Sequence, residues 1–202
     1  MDNKQIFNDI YKNQSWGFDS GPGSDPENAK EWINLVNSFI IKNNIKSILD
    51  LGCGDWRLGK ELNLDSVDYV GVDVSSIIIE KIKHNEKENI KFINHDIESF
   101  DFLDVDLILI KDVLQHLKLE SVKNIVDKIV AHGKYALICN DFNKDNAYSD
   151  KSNYQINSGD YVYLDLTADP FNYNLTPVLD FESFVKIKRV YLFDNSTNNG
   201  VL

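Results

Sequence analysis

Four acidic residues and two glycines raise the first chemical question. Asp50, Gly52, Gly54 and Asp55 lie in ILDLGCGDW (48–56), an apolar run that turns at glycine and leads into a helix signal. Asp73 closes YVGVDV, and Asp96 closes NIKFINHD. Glycine in the first turn after a strand lets backbone approach a ligand. A dinucleotide fingerprint needs a third glycine, to seat a pyrophosphate on the helix N-terminus, and position 57 holds Arg57. A phosphate loop needs GxxxxGK followed by Ser or Thr, and the sequence has none. Asp50 and Asp55 flank the turn and would repel a pyrophosphate. The pattern suits a ligand with a cationic amine and no phosphate.

Asp73 stands 21 residues after Gly52, the place for a carboxylate that accepts hydrogen bonds from ribose hydroxyls. Asp96 stands where a carboxylate accepts from an adenine amino group. The acids at the ends of three strands thus face an amino-acid end, a ribose and a base in order. S-adenosylmethionine fits that order. Asp55 has a second reading as a cap for the following helix. Cys53 reads as a small packing residue whose backbone N–H faces the ligand.

A second set of residues suits the transfer itself. Displacement at a sulfonium methyl needs alignment and exclusion of water. An alcohol acceptor also needs a base. Lys111 and Asp112 end DLILIKDV, and His116 follows Asp112 by four residues, so on a helical turn the two share a face. An Asp–imidazole pair orients the ring and raises its basicity. His116 and Asp112 are therefore the catalytic candidates; the plainer reading of His116 is a residue that caps or packs the next helix. Asn140, Asp141 and Tyr161 are candidates for acceptor binding. His84, His95 and His132 sit on surface-like positions and read as structural.

These residues need strand ends to hold them. Strands are expected at 47–52, 69–74, 89–96, 106–113 and 134–141, with helices at 56–63, 75–88 and 119–133, the last ended by Gly133. The alternation indicates a doubly wound, mostly parallel α/β sheet with right-handed crossovers. Asp25, Pro26 and the apolar stripe Trp32, Leu35, Val36, Phe39 and Ile40 predict an earlier helix over 26–43. After Asp141 the rhythm breaks. Residues 142–158 read as loop, GDYVYLDLT (159–167) and FVKIKRVYLF (184–193) alternate like strands, and DPFNYNLTP between them reads as a link.

The chain resembles the class I S-adenosylmethionine-dependent methyltransferases in DLGCG, VGVDVS, INHDIES and DVLQHL, over roughly residues 45–141. It looks most like small stand-alone members with WGFDSGPGS (16–24), DLGCGDW (50–56), KDVLQHL (111–117) and LDLTADPF (164–171), a subgroup associated with surface-glycan gene sets. Many members have glycine where this chain has Trp56. The resemblance implies a Rossmann-like single domain. It has an N-terminal strap and helix (1–44), a cofactor core (45–141) and an acceptor side (142–202). It also implies a cofactor set of Trp16, Asp50, Gly52, Cys53, Gly54, Asp55, Trp56, Asp73, Val74, Ser75, Asp96, Ile97, Lys111 and Asp112. The acceptor is expected to be a small molecule methylated on oxygen, a sugar or glycan precursor; methylation on nitrogen and cofactor binding without turnover are the alternatives. Asp112 with Asn140 and Asp141 is similar to the oxygen ligands of magnesium-dependent O-methyltransferases. Acids at strand ends are common in this fold, and no metal is assigned. Tyr148, Tyr154, Tyr161, Tyr163, Phe171 and Tyr173 are expected partly to cover the acceptor.

Composition narrows the partners. The net charge is −11, and all but Arg57 and Arg189 of the 21 basic residues are lysine, a poor match for nucleic-acid phosphates or anionic membranes. Cys53 and Cys139 form no CxxC pair, so neither zinc nor a disulfide framework is expected. Without a signal peptide or membrane span in the sequence, a cytoplasmic protein is expected.

Overall fold

The computed structural model describes residues 2–144 and 152–196. Among the described residues seven strands and four α-helices make a mostly parallel α/β fold, and the residues divide into two compact units, Met1–Asp101 and Phe102–Leu202.

The first unit begins with a helix that the sequence reading did not anticipate, α1 (Asn3–Lys12). Asp2 caps it, its carboxylate accepting from the backbone N–H of Gln5 at 2.8 Å. Phe7 is its one buried residue. Mostly polar composition hides such a helix from a hydrophobic-period search. The next helix, α2, runs over Lys30–Lys42 rather than from residue 26. Asp25 does cap, but it caps a separate turn: Glu27 donates to its carboxylate and Ala29 to its carbonyl. Trp32, Val36 and Ile40, four residues apart, make the buried stripe. Strands β1 (Ser47–Leu51), β2 (Asp68–Asp73) and β3 (Ile90–Asn94) pair in parallel in the order β3-β2-β1. Helix α3 spans only Ser76–Ile82. The helix expected at 56–63 is a single 3-10 turn, Gly59–Glu61.

The second unit holds β4 (Val105–Lys111), α4 (Leu119–His132), β5 (Gly133–Asp141), β6 (Thr176–Ser183) and β7 (Lys186–Asp194). β4 and β5 are parallel, β5 and β7 antiparallel, and β7 pairs with β6. Gly133 is the extended first residue of β5, so it does not end α4 with a left-handed cap. The link expected before the last strand ends in β6, whose Pro177 interrupts the register. The strand expected at 159–167 is absent from the sheet. Its alternation is real, since Val162, Leu164 and Leu166 are buried, but its N–H groups bond to the loop carbonyls of His116 and Gln115 and to Asp141. A period of two reports alternating burial, and a ladder needs a partner strand as well. Tyr148 and the chain end lie outside the described residues.

Candidate active site

In the first unit, β1 runs into the glycine turn. Gly52 and Gly54 have φ of +76° and +54°. A Cβ on Gly54 would stand 2.5 Å from Ser20 Oγ, so the turn and the N-terminal strap fit only with glycine there. Asp73, at the end of β2, spans this turn. One carboxylate oxygen accepts from Gly54 N at 3.1 Å and the other from Ser75 N at 2.8 Å. Burial pushes its pKa up to about 6 against those two bonds. Asp50 is also pushed up to about 6 by burial, while Tyr69 donates to its carboxylate at 2.5 Å. Cys53 packs beside Gly71, and burial raises its thiol well above the usual range, so it stays protonated.

Two expected cofactor residues hold other partners. Asp55 accepts from Arg57 Nε at 2.7 Å and from the backbone N–H of Ser20, while its own N–H donates to Ser20 Oγ at 3.0 Å. Its carboxylate fastens the strap to the turn. Trp56 stands in the left-handed backbone region that favours glycine, at φ +60°. Its ring turns into the core, edge-on to Phe92 at 5.2 Å and tilted on Tyr69 at 6.2 Å. A Cβ on Gly59 would come within 2.1 Å of the indole nitrogen, so Gly59 makes room for it.

Helix α1 lies against the same residues. Asn8 accepts from Ser75 Oγ at 2.8 Å and donates to Ser76 Oγ, and Tyr11 OH meets Ser20 Oγ at 3.1 Å. Asn3 donates to Asp96 at 2.9 Å, and the other Asp96 oxygen accepts from Glu98 N. Trp16 packs on Phe7 and Tyr11. Val74 accepts through its carbonyl from Asn94, and Ile97 is buried beside Asp96 in sequence.

The second unit gathers the ends of β4, β5 and β7. Lys188 is only 4% exposed, and its ammonium bonds Asp112 at 2.7 Å and also Asp141. Lys111 pairs with the other Asp112 oxygen. Burial alone would raise Asp112; the two lysines outweigh it and hold the group at about 2. The same carboxylates raise the pKa of Lys188 against burial. Asp112 itself stands at φ +59°, an uncommon conformation for a residue with a Cβ. Lys188 thus lies between the two acids that the sequence offers as metal-like ligands. Asp141 also accepts from Tyr161 OH at 2.8 Å, and its N–H donates to Gln115.

The Asp112–His116 pair expected from their spacing gives way to another arrangement. His116 Nδ1 donates to the backbone carbonyl of Asp160 at 2.8 Å, and Gly159 N donates to His116 O. A carbonyl only accepts, so Nδ1 carries the proton and Nε2 the lone pair. Burial lowers the imidazole pKa, with the Asp160 bond, Asp112 and Asp141 acting the other way. The ring lies 6.0 Å from that of Tyr161. Lys186 stands over Tyr161 and Tyr163, 3.9 and 4.6 Å from their centroids. Asn140 is 1% exposed, and neither its amide nitrogen nor its oxygen has a hydrogen-bond partner among the described residues. Tyr173 bonds Asp127 of α4 and stacks on Phe171, so that pair belongs to the scaffold. Lys188, Lys186 and Asn3 escaped the sequence reading. The one available signal was the KIK alternation, which puts both lysines on one face of β7.

A family model described as a methyltransferase domain matches residues 48–135. No curated protein sequence matches the chain. Solved structures share the fold at low identity. Magnesium protoporphyrin IX methyltransferase from Synechocystis with bound SAM is 12% identical, with a TM-score of 0.66 over 95% of this chain and 96% of that one. The N-methyltransferase NodS from Bradyrhizobium japonicum with S-adenosyl-L-homocysteine is 14% identical, with a TM-score of 0.66 over 96% and 98%. The N-terminal domain of EvdMO1, in the presence of SAH and D-fucose, is 12% identical, with a TM-score of 0.61 over 79% and 81%.

Proposed function

We propose that the chain is a class I methyltransferase that uses S-adenosylmethionine and that it methylates an oxygen of a small polar acceptor, a sugar or glycan precursor. In this reading the first unit supplies the cofactor residues. Asp50 takes the cationic amine, Asp73 the ribose hydroxyls and Asp96 the base, while the tight turn at Gly52 and Gly54 lets the ligand approach the backbone closely. The donor set fits such a ligand: three carboxylates and a tight turn, with the nearby Arg57 already paired to Asp55. The cofactor supplies an activated methyl group when bound.

The acceptor side is read from the second unit. The observation that carries the oxygen reading is His116, an imidazole held through Nδ1 on the Asp160 carbonyl, with burial lowering its pKa so that the ring is a base rather than a cation. An alcohol needs such a base, and an amine that loses its proton to solvent does not. Asp112 and Lys188 then hold the strand ends in place. The orphaned amide of Asn140 supports a polar acceptor, because a buried amide without partners costs about 1–3 kcal/mol until something bonds it. The sugar reading draws on the subgroup resemblance and on the EvdMO1 structure obtained in the presence of D-fucose.

Acceptor profiling with S-adenosylmethionine tests this directly. His116→Ala should lower turnover by about 10²-fold or more and leave affinity for S-adenosylhomocysteine unchanged. EDTA should not alter the rate. Turnover on an amine with His116 dispensable would instead support N-methylation. Tight cofactor binding without transfer to any acceptor would support a binding protein.

A further inference from the structure

The ion pairs at the ends of β4, β5 and β7 do not balance. Lys111 and Lys188 bond Asp112, Lys188 also bonds Asp141, and Lys186 approaches the other Asp141 oxygen at 4.0 Å. Among the described residues these pairs join three lysines to two carboxylates, so the cluster carries one positive charge in excess. Tyr161 does not cancel it, because burial raises the pKa of its phenol, which donates to Asp141 without losing its proton. The excess runs against the net charge of −11 on the whole chain. Lys186 is where it meets solvent: its side chain is 32% exposed, against 5% for Lys188 and 7% for Lys111. Its ammonium stands over Tyr161 and Tyr163 and donates to Tyr163 OH at 3.2 Å. Asp141 leaves it little, since Lys188 bonds one oxygen and Tyr161 OH the other. Across the ladder Ser183 pairs directly with Lys186, so both side chains leave the same face of the hairpin. Ser183 is 2% exposed, and its hydroxyl has no hydrogen-bond partner among the described residues. Asp180 and Glu182 of β6 alternate to the other face, where Arg189 holds Asp180.

We infer that the acceptor carries an acidic group, a carboxylate or a phosphate, and that Lys186 binds it, with Ser183 as a second donor and the Tyr161 and Tyr163 rings beside the sugar. This deepens the acceptor reading above and rests on it. An anionic oxygen in contact with the ammonium makes a charge-assisted hydrogen bond, stronger than a neutral one. It also answers the excess charge, which a neutral sugar leaves in place. A buried hydroxyl without a partner costs free energy until something bonds it, and an oxyanion beside Lys186 accepts from it. A cationic acceptor would meet a like charge.

The test titrates the full chain, saturated with S-adenosylhomocysteine, with D-glucose, D-glucuronate and D-glucose 1-phosphate, and reads binding by saturation-transfer NMR. At least one acidic sugar should bind about tenfold tighter than glucose, and the one that does so tells carboxylate from phosphate. Added salt should erode that preference. Lys186→Met and Lys186→Gln should each bring the acid to the level of glucose, and Lys186→Arg should restore most of the preference. Ser183→Ala should weaken the acid several-fold and leave glucose unchanged. Unaltered affinity for S-adenosylhomocysteine in each variant separates these effects from loss of the fold. If neither acid is preferred to glucose in the wild type, or the preference survives both Lys186→Met and Lys186→Gln, the inference is overturned. Transfer to the oxygen of a neutral sugar with no preference for acids would overturn it alone. An acid preference that depends on Lys186, found with transfer to an amine, would overturn the oxygen reading and leave the Lys186 site standing.

Discussion

The two units treat buried carboxylates in opposite ways. In the first, Asp50 and Asp73 are answered among the described residues by neutral donors, a phenol and two backbone N–H groups, and burial pushes both up to about 6. In the second, Asp112 is held at about 2 by Lys111 and Lys188, and Lys188 also holds Asp141. A carboxylate without a cation has free energy to gain from a cationic or hydroxyl-bearing ligand. A carboxylate already neutralised by buried lysine has little left to gain. The contrast separates a group of acids suited to a ligand from a group that ties strand ends together.

Removing the shared cation should break the second group most severely. Lys188→Met leaves two buried acids without their common partner, and urea unfolding should show a loss of about 3–5 kcal/mol. A loss under about 1 kcal/mol would mean that the lysine is dispensable to the fold. Asp73→Ala attacks the first group. It should raise the dissociation constant of S-adenosylhomocysteine by about 10–100-fold, with a smaller stability loss than Lys188→Met.

Acidity sharpens the same contrast. Asp50 and Asp73 hold protons in the native state that the unfolded chain has already released between about pH 4 and 6, so their contribution to stability falls as pH rises through that window. Asp112 has the opposite sign: its contribution is complete above about pH 4 and is lost as pH falls toward 2. Unfolding free energies measured across pH should slope downward from 4 to 6 less steeply in Asp73→Asn than in the wild type. Binding of S-adenosylhomocysteine near pH 6 should release protons, because its ammonium favours the ionised acids. Calorimetry in buffers of different ionisation enthalpy reads that release, and none would argue that neither acid meets the ligand. The smallest effect belongs to an exposed pair. Asp19→Ala removes the 2.6 Å contact to Lys81 and should cost less than about 1 kcal/mol.

Much of this was legible in the sequence where a residue's neighbours are fixed by the strand that carries it. Asp50, Asp73 and Asp96 are placed by where three apolar runs stop, and Gly54 by the turn that must follow. Legibility ended where a partner comes from far along the chain. Nothing near Asp112 announces Lys188, which arrives on a strand 76 residues later. Asp160, 44 residues from His116, supplies through its carbonyl the bond that Asp112 was expected to make, and backbone groups leave no mark in residue identity. Helix α1 was missed because polar residues make most of its contacts, and β6 because Pro177 and its neighbours read as turn.

Trp56 and Gly59 also constrain the order in which this loop can change. With the indole in place, Gly59→Ala meets the ring at 2.1 Å and is blocked. With Trp56→Gly made first, the same alanine enters vacated space and gains helix propensity over glycine. One substitution is harmful or acceptable according to whether the other has already occurred. The pair is a case of sign epistasis, and chains that carry tryptophan here should reach a side chain at position 59 only by first giving the tryptophan up.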